Sequence, residues 1–381
     1  MKIIIAPDSF KGSLTSIEVS DALEQGVKMV YPEAKVEKIP MADGGEGTVQ
    51  CLVNATRGII YEKEVIGPLG DKVVASYGIL GNKITAVIEM ASASGLPLVP
   101  PLKKNPLITT TYGTGQLIKA ALDHGCHEMI IGIGGSATSD GGAGMVQALG
   151  VHLLDERGKE IGYGGSQLIR LNRIDISGMD LRIQKTKIMV ASDVQNPLCG
   201  PTGASRIYGP QKGATEEMII TLDNALNHFA NIIKRDLKKD IINVSGAGAA
   251  GGMGAGLIAF LEAELKPGID IVINTVHLDE ILQNADLVIT GEGEINGSTI
   301  YGKTPIGVAR VAKKYQIPVI SVSALIDESG LIVKNYGIDY LIKPENPSMN
   351  IEYSRSKKVD LLKNAISKFL RENDKLVKRK I

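Results

Sequence analysis

The residues best suited to chemistry in this sequence lie in four short polar loops that combine charged or hydroxyl side chains with glycine. The first loop, residues 8–13, directly follows the apolar run 2–6, which predicts a buried strand. It places Asp8, Ser9 and Lys11 at the carboxyl end of that strand. A carboxylate, a hydroxyl and an ammonium group in such a place suit a phosphate and its metal ion. Simple helix capping would account only for the later hydroxyl residues of the segment.

The second loop, residues 43–48, alternates acidic residues with glycines ahead of a predicted helix. Its first residue, Asp43, is a second candidate ligand for Mg²⁺ beside Asp8. This ion is usually held by one or two carboxylates together with waters and phosphate oxygens. A plain turn accounts for the second loop equally well.

The third loop, residues 134–144, is rich in glycine and lies between an apolar strand and a helix. Consecutive N–H groups beside a helix N-terminus, with hydroxyls among them, form a concave site that binds anions. Ordering so many glycines costs entropy, so a loop of this kind indicates a ligand. The candidate phosphate-binding residues are Gly134, Gly135, Ser136, Thr138, Ser139, Asp140, Gly141 and Gly142.

The fourth loop begins at Asp193, shortly after a predicted strand at 187–191. Glycine-braced segments that contain Arg206 and Lys212 follow it. One carboxylate followed by two cationic side chains suits a base beside groups that bind an anion. A solvated loop with incidental charges would also account for these residues.

Two familiar phosphate-binding patterns also occur, and neither is convincing. Residues 246–251 match the glycine fingerprint of dinucleotide-binding folds. The glycines continue to Gly256, however, and close packing of a Gly- and Ala-rich helix explains them better. Residues 297–304 match the P-loop pattern, but the preceding strand is predicted to end at Thr290, which is too early. We therefore interpret Lys303 as a phosphate-binding cation near a helix N-terminus, outside any P-loop.

The composition excludes nucleic-acid and membrane binding as the main function. The 381 residues contain 42 basic and 42 acidic side chains and only 4% aromatic residues, so neither a basic field nor a set of stacking rings is present. The apolar run at the N-terminus is too short for a signal peptide or a membrane span. Three widely spaced cysteines predict reduced thiols and a cytoplasmic location. The basic run at 375–380 is interpreted as a solvated helix end.

The elements that must position these loops alternate between strand and helix patterns. This alternation predicts an α/β fold with a mostly parallel sheet and ligands at the carboxyl ends of its strands. An antiparallel pair around Gly81-Asn82 is the exception. Strands are predicted at 2–6, 73–80, 85–90, 129–133, 187–191, 287–290, 318–322 and 340–342, and helices at 114–124, 142–150, 215–235, 304–315 and 358–371.

Ten stretches of the chain together resemble the bacterial type I glycerate kinase family. They run in the family's order to about residue 345, which makes the resemblance far more specific than either glycine pattern. The stretches are APDSFKGSLTSIEV, PMADGGEGT, IGPLGDKV, IEMASASGL, TTTYGTGQLI, GIGGSATSDGGAGMVQALG, DVQNPLCGPTGASRIYGPQKGA, GAGAAGGMGAGL, VITGEG and GKTPIGVA.

The resemblance implies ATP-dependent, Mg²⁺-assisted, in-line phosphorylation of D-glycerate in the cleft between two α/β domains. The first would be a Rossmann-like doubly wound parallel sheet, discontinuous in sequence and formed by residues 1–64 and 284–381. The second, residues 65–283, would be a mixed α/β domain inserted in the middle. D-Glycerate and ATP would be the small-molecule partners, and the oligomeric state is left open, with a homodimer among the options.

Phosphoryl transfer requires positioning and charge neutralisation more than covalent chemistry. On this basis, a role can be assigned to each candidate residue. Asp193 would orient or deprotonate the substrate hydroxyl, and Lys11 would offset the charge of the phosphates. Arg206 is the first candidate for binding the substrate carboxylate and Lys212 the second. Ser9 is a further candidate for contact with the substrate.

The sequence departs from the family at one place. After Gly-Glu-Gly, family members typically carry Arg-Ile-Asp, whereas this chain has Glu294-Ile295-Asn296. A cation is thus replaced by an anion, which leaves open a catalytically inactive binding protein. A kinase that acts on a different sugar acid and an NAD-dependent oxidoreductase are also left open by the sequence.

Overall fold

The computed structural model describes residues 1–344 and 355–374 and confirms an α/β fold. The strands in these ranges are β1 (Lys2–Pro7), β2 (Lys35–Lys38), β3 (Ile59–Ile66), β4 (Lys72–Ile79), β5 (Thr85–Glu89), β6 (Glu128–Gly132), β7 (His152–Leu154), β8 (Arg173–Asp175), β9 (Lys187–Ala191), β10 (Glu264–Lys266), β11 (Leu287–Ile295), β12 (Val319–Ile326) and β13 (Tyr340–Ile342). The α-helices are α1 (Ser16–Lys28), α2 (Thr48–Thr56), α3 (Ala91–Ser94), α4 (Tyr112–Asp123), α5 (Ala143–Ala148), α6 (Ala204–Tyr208), α7 (Glu216–Leu237), α8 (Ala249–Leu261), α9 (Gly268–Thr275), α10 (Leu278–Leu282), α11 (Thr304–Lys314) and α12 (Arg355–Glu372). Short 3₁₀ helices cover Leu96–Leu98, Pro101–Lys103, Gly165–Arg170, Leu181–Lys185, Pro210–Lys212 and Ser329–Tyr336.

The chain divides into two compact units, of which the first is discontinuous. It comprises Met1–Asp43 and the chain from Pro267 onward, and the second comprises Gly44–Lys266. The boundaries therefore differ from the predicted ones, which lay after residues 64 and 283. The reason is packing: α2 contacts β3, β4 and β5 of the second unit, whereas α9 contacts α10 and α11 of the first.

The first unit contains a parallel five-stranded sheet in the order β13-β12-β11-β1-β2. Numbered within the unit, this order corresponds to the flavodoxin-like doubly wound arrangement, and it differs from that of dinucleotide-binding Rossmann folds. Ile3 and Ile5 of β1 pack in one apolar cluster with residues of α1 and α12. Side chains alternate along a strand, so Ile4 points to the opposite face. The strand order reverses between β1 and β11, where such folds bind ligands.

The start of α1 fixes the chain immediately after the first polar loop. The Thr15 Oγ1 accepts a hydrogen bond from the Glu18 N–H at 3.2 Å, and Glu18 Oε2 accepts one from the Thr15 N–H at 2.8 Å. This reciprocal capping box satisfies two backbone donors that a helix start would otherwise leave to solvent. The loop 8–13 is therefore held between a buried strand and a capped helix.

The second unit contains a mixed six-stranded sheet in the order β10-β9-β6-β5-β4-β3. The strands from β10 to β5 are parallel, and β4 pairs antiparallel with both β5 and β3. The antiparallel pair predicted around Gly81-Asn82 is therefore confirmed. A separate antiparallel pair joins β7 and β8.

Within residues 1–344 and 355–374, no helix combines the length and the apolar character needed to span a membrane. The basic run at 375–380, interpreted as a helix end, lies outside the described residues.

Candidate active site

The first unit carries a cavity of 340 Å³ at the carboxyl ends of β1 and β11, where the strand order reverses. Four residues singled out from the sequence meet there: Asp8, Ser9, Lys11 and Lys303. The remaining lining residues are Phe10, Ser13, Glu292, Gly293, Glu294, Ala324 and Leu325. The cavity thus lies where an open parallel sheet most often binds its ligand.

Asp8 is a buried carboxylate at the edge of this cavity, with only 2% of its surface exposed. Its Oδ2 accepts a hydrogen bond from Thr304 Oγ1 at 2.7 Å, and its Oδ1 accepts one from the Ser9 N–H at 2.6 Å. Burial and, next, the charge of Asp43 raise the pKa of Asp8 to about 7. A buried carboxylate that is repelled by a neighbouring one is stabilised by a bound cation.

Two lysines balance the carboxylates around the cavity. Lys11 Nζ lies 2.9 Å from Asp43 Oδ2, and Lys303 Nζ lies 3.6 Å from Glu292 Oε2. Burial acts against the charged form of Lys11, but the carboxylates outweigh it, led by Asp43, and its pKa is raised. The Lys11 ammonium group therefore remains cationic near neutral pH, as a phosphate ligand must.

The acidic residues fit a Mg²⁺ ion that is shared with a phosphate. Among the described residues, no three carboxylate, histidine or cysteine groups converge into a complete metal cage. Asp8 and Asp43 interact electrostatically but supply only two carboxylates. Because Mg²⁺ commonly keeps several waters and binds through one or two carboxylates plus substrate phosphates, this set suits it.

The raised pKa of Asp8 predicts how stability depends on pH. Its folded value of about 7 lies above the ordinary pKa of 3.8, so between these pH values the folded chain binds the proton that the unfolded chain releases. We expect the free energy of unfolding of the ligand-free protein to fall as the pH rises through this range. Urea denaturation at several pH values should show a flatter dependence for Asp8→Asn. An unchanged slope in the variant would contradict this origin.

Glu294 and Asn296, the two departures from the family, lie at the solvent-exposed side of the cavity and in the following turn. Glu294 is exposed, and its Oε1 accepts a hydrogen bond from Asn296 Nδ2 at 3.2 Å. The Asn296 Oδ1 accepts hydrogen bonds from the Ser298 N–H at 2.9 Å and from its hydroxyl at 2.6 Å. An aspartate could accept the same bonds, so Asn296 preserves the shape of this turn.

The P-loop interpretation fails for a reason other than the predicted one. β11 extends to Ile295 because its pairing with β12 continues to Ile326, so the expected strand end at Thr290 was wrong. The difference from a P-loop lies in the backbone N–H groups of the loop, two of which donate hydrogen bonds within the protein. The Gly297 N–H donates to Ser329 Oγ at 2.7 Å and the Tyr301 N–H to the Ser298 carbonyl at 3.0 Å. These two N–H groups are therefore not available to a phosphate, as those of a P-loop are.

In the second unit, most of the glycine-rich loop is buried. Within 134–144 only Gly134 and Gly135 are exposed. A Cβ at Gly141 would lie 2.8 Å from the Phe229 ring, so this glycine permits close packing. The predicted phosphate-binding residues that lie in the interior are Ser136, Thr138, Ser139, Asp140, Gly141 and Gly142. Their surroundings favour a structural role, and Gly134 and Gly135 remain as the accessible backbone.

Asp140 explains why this loop does not present the α5 N-terminus to a ligand. The carboxylate is 1% exposed and accepts hydrogen bonds from the N–H groups of Gly142 and Gly144, each at 3.2 Å. It also accepts bonds from the N–H and the hydroxyl of Thr111, both at 2.9 Å. The helix start is therefore capped internally by an anion of the chain itself.

Lys212 lies inside the second unit, and its predicted role in binding the substrate carboxylate is not supported by its position. The side chain is 1% exposed, and its Nζ donates to the Thr138 carbonyl at 2.5 Å. Burial lowers its pKa to about 7, although the charge of Asp140 opposes this effect. Arg206 on α6 is exposed instead, and its guanidinium pairs with the Glu216 carboxylate.

Asp193 and the exposed glycines occupy neighbouring strand ends of the second unit. β6 and β9 are parallel neighbours, and Gly132 is paired in register with Ala191. Gly134 and the exposed Asp193 each follow two residues later. Neighbouring strands lie about 5 Å apart, so the register brings the predicted base close to the accessible backbone of the glycine-rich loop.

The segment 44–48 is best described as a turn, the simpler of the two interpretations that the sequence left open. Gly44 and Gly47 have φ values of 90° and 91°, which side chains other than glycine rarely adopt. Glu89, at the end of β5, accepts a hydrogen bond from the Val49 N–H at 2.8 Å through Oε1. The start of α2 is thus occupied by a carboxylate from a neighbouring strand. No local sequence pattern around Glu89 predicts this contact.

The glycines of 246–256 pack helix α8, and the dinucleotide-binding interpretation is not supported. A Cβ at Gly251 would lie 1.9 Å from the Thr138 carbonyl oxygen, and one at Gly256 would lie 2.5 Å from the Gly141 carbonyl oxygen. The missing side chains therefore allow the backbone of α8 to touch the glycine-rich loop. Packing inside the protein accounts for the pattern.

Comparison with known proteins agrees with this geometry. A profile of the glycerate kinase family matches residues 3–373. A glycerate kinase from Haemophilus influenzae is 57% identical over 89% of this chain and 90% of its own length. A glycerate 2-kinase from Escherichia coli is 57% identical over 89% of each chain.

A solved structure supports the same relationship. The crystal structure of a protein described as glycerate kinase 2 from Salmonella typhimurium LT2 is similar, with a TM-score of 0.91 and 50% sequence identity. The match covers 98% of both chains. The resemblance predicted from ten sequence stretches is thereby confirmed: the chain is a kinase and belongs to the glycerate kinase family.

Proposed function

We propose that the protein transfers the terminal phosphoryl group of ATP to D-glycerate, with Mg²⁺, by in-line displacement. The observation that carries this proposal is the cavity at the carboxyl ends of β1 and β11, which combines buried carboxylates with two lysines. Such a set suits a polyphosphate and its metal ion. Relatives named glycerate kinase, at 57% identity, support D-glycerate as the acceptor.

Six of the candidate residues have a role in the proposed reaction. Asp193 accepts the proton of the attacking hydroxyl or orients that hydroxyl. Arg206 binds the substrate carboxylate through charge-assisted hydrogen bonds. Lys11 and Lys303 offset the charge of the phosphates, and Asp8 and Asp43 would hold Mg²⁺. When bound, this ion neutralises charge on the phosphate oxygens.

We further propose that the hydroxyl at C2 is phosphorylated. The support is the name of the Escherichia coli relative, a glycerate 2-kinase at 57% identity. Proton-coupled ³¹P NMR of the product from ATP, Mg²⁺ and D-glycerate tests activity and position in one experiment. A phosphate on C2 couples to one proton and gives a doublet, whereas a phosphate on C3 couples to two and gives a triplet. A product obtained only from other sugar acids would overturn the choice of substrate.

Arg206→Ala is expected to raise the KM for D-glycerate roughly 10- to 100-fold, because a hydrogen bond between charged groups is lost. Steady-state kinetics with each substrate varied in turn measures this effect. The matched control is Glu216→Gln, which removes the ion-pair partner of Arg206 and leaves the guanidinium in place. A change in the KM for ATP alone would identify Arg206 as a phosphate ligand.

A further inference from the structure

Glu292 is a buried carboxylate of the cavity that the sequence did not single out for a role. It lies on β11 beyond the last residue paired with β1, Gly291, and it is paired with Ser323 of β12. Its exposed fraction is 7%. The Ser323 hydroxyl donates to the Glu292 carbonyl at 2.6 Å, so the backbone at this position is fixed as well.

The two carboxylate oxygens of Glu292 have different partners in the loop that leads to α11. Oε1 accepts a hydrogen bond from the buried Thr299 hydroxyl at 2.7 Å. Oε2 lies 3.6 Å from the ammonium nitrogen of Lys303, the residue that precedes the first turn of α11. Glu292 therefore connects a fixed hydroxyl on one side with a flexible cation on the other.

The length of the ion pair matters for what Lys303 can do. An N–H···O hydrogen bond measures about 2.7–3.2 Å, so at 3.6 Å the carboxylate attracts the ammonium group without a close hydrogen bond. A lysine side chain has several rotatable bonds and loses entropy when it is held in one place. The Lys303 side chain is 30% exposed, so solvent competes for it.

Glu292 does not complete a metal cage with the two aspartates. Among the described residues, no set of three metal-binding side chains converges on one point. The Glu292 carboxylate contacts a hydroxyl and an ammonium group, and both of these are hydrogen-bond donors. Contacts with two hydrogen-bond donors are typical of a carboxylate that orients a neighbouring side chain, here that of Lys303.

We propose that Glu292 is a positioning residue that holds the Lys303 ammonium at the cavity, where it meets the phosphates of the nucleotide. Thr299 locks one oxygen of Glu292, and the other oxygen attracts Lys303. Loss of the carboxylate charge releases Lys303 to solvent. This inference rests on the proposed function, which places phosphates in this cavity.

A double-mutant cycle tests this coupling. The variants are Glu292→Gln, which keeps an acceptor for Thr299 but removes the charge, Lys303→Met, and the two combined. If the carboxylate acts through Lys303, each single change lowers kcat/KM for ATP by roughly 10- to 100-fold, the usual scale for residues that orient a ligand. The combined variant is then no worse than Lys303→Met alone. If Glu292 only stabilised the fold, the fold-losses in kcat/KM of the two single variants would multiply in the combined variant. The loss for Glu292→Gln would then also be accompanied by a lower Tm.

Thr299→Val is the matched variant on the other side of Glu292. It removes the neutral hydrogen bond and keeps the ion pair, so a loss below about 10-fold is expected, since one neutral hydrogen bond contributes little net free energy. Near-wild-type kinetics for Glu292→Gln, or losses that multiply in the combined variant, would overturn the proposal.

The same cycle measured by calorimetry as Kd for ATP separates this inference from the proposed function. If D-glycerate is not phosphorylated but the losses in ATP affinity are non-additive, the choice of acceptor is wrong and the role of Glu292 stands. If the losses in ATP affinity are additive, Glu292 does not act through Lys303, whatever the acceptor is.

Discussion

Asp193→Asn is expected to lower kcat by about 10²- to 10⁴-fold, the contribution of a well-placed general base. The amide keeps the size of the side chain but cannot accept the proton of the substrate hydroxyl at neutral pH. Asp193 is exposed at the end of β9, so its loss should leave Tm close to that of the wild type. Rapid-quench or steady-state kinetics with saturating ATP and D-glycerate measures the effect.

Two comparisons make the Asp193 experiment decisive. Asp123→Asn alters another exposed aspartate, paired with Arg182 on the surface, and should keep kcat within about twofold, since such pairs contribute little. A base also gives an acidic limb in the pH–rate profile, and the amide variant should lose that limb. If kcat of Asp193→Asn stays within a few-fold of wild type, Asp193 has no part in proton transfer.

Gly251→Ala is expected to destabilise the protein by about 3–5 kcal/mol, in the range reserved for changes that force the core apart. Two effects combine at this position. The backbone has φ +69°, and the new Cβ would lie 1.9 Å from the Thr138 carbonyl oxygen. That carbonyl accepts the hydrogen bond from buried Lys212, so the clash falls on the contact that anchors the glycine-rich loop. Thermal unfolding should show Tm lowered by roughly 10 °C.

Gly158→Ala separates the steric effect from the backbone effect. Gly158 has nearly the same dihedral angle, φ +71°, but a Cβ added there would meet nothing within 4 Å. This substitution should lower the free energy of unfolding by only roughly 1–2 kcal/mol, the cost of placing a residue with a side chain in the left-handed conformation. Equal losses of stability in the two variants would show that the contact with Thr138 carries no energy.

Local patterns predicted the elements of this fold better than its domain boundaries. The apolar run that forms β1 and the helix pattern that forms α7 depend on neighbouring residues only. The boundary of the first unit depends on which sheet α2 covers, and that is decided by distant strands. β11 was predicted too short because charged residues such as Glu292 and Glu294 do not indicate a buried strand. In the structure, pairing with β12 keeps both residues in the strand.

The candidate site, too, was predicted only in part from the sequence. The predicted Asp8, Lys11, Asp43 and Lys303 are close together because strand ends of one parallel sheet meet at one edge. Hydroxyl and glycine content could not reveal that Asp140 turns inward and caps α5 itself. The burial of Lys212 was equally hidden, since its partner is a backbone carbonyl 74 residues earlier in the chain.

The split first unit has a consequence for how the chain is made. The Lys2 N–H donates to the carboxylate of Asp286, 284 residues further along. At about 5–20 residues per second, a ribosome needs roughly 15–60 s to synthesise that interval. During this time the second unit, which is continuous from Gly44 to Lys266, can complete its own sheet. The apolar strand β1 has meanwhile only β2 to pair with, so the nascent chain exposes an unprotected strand edge until β11 emerges.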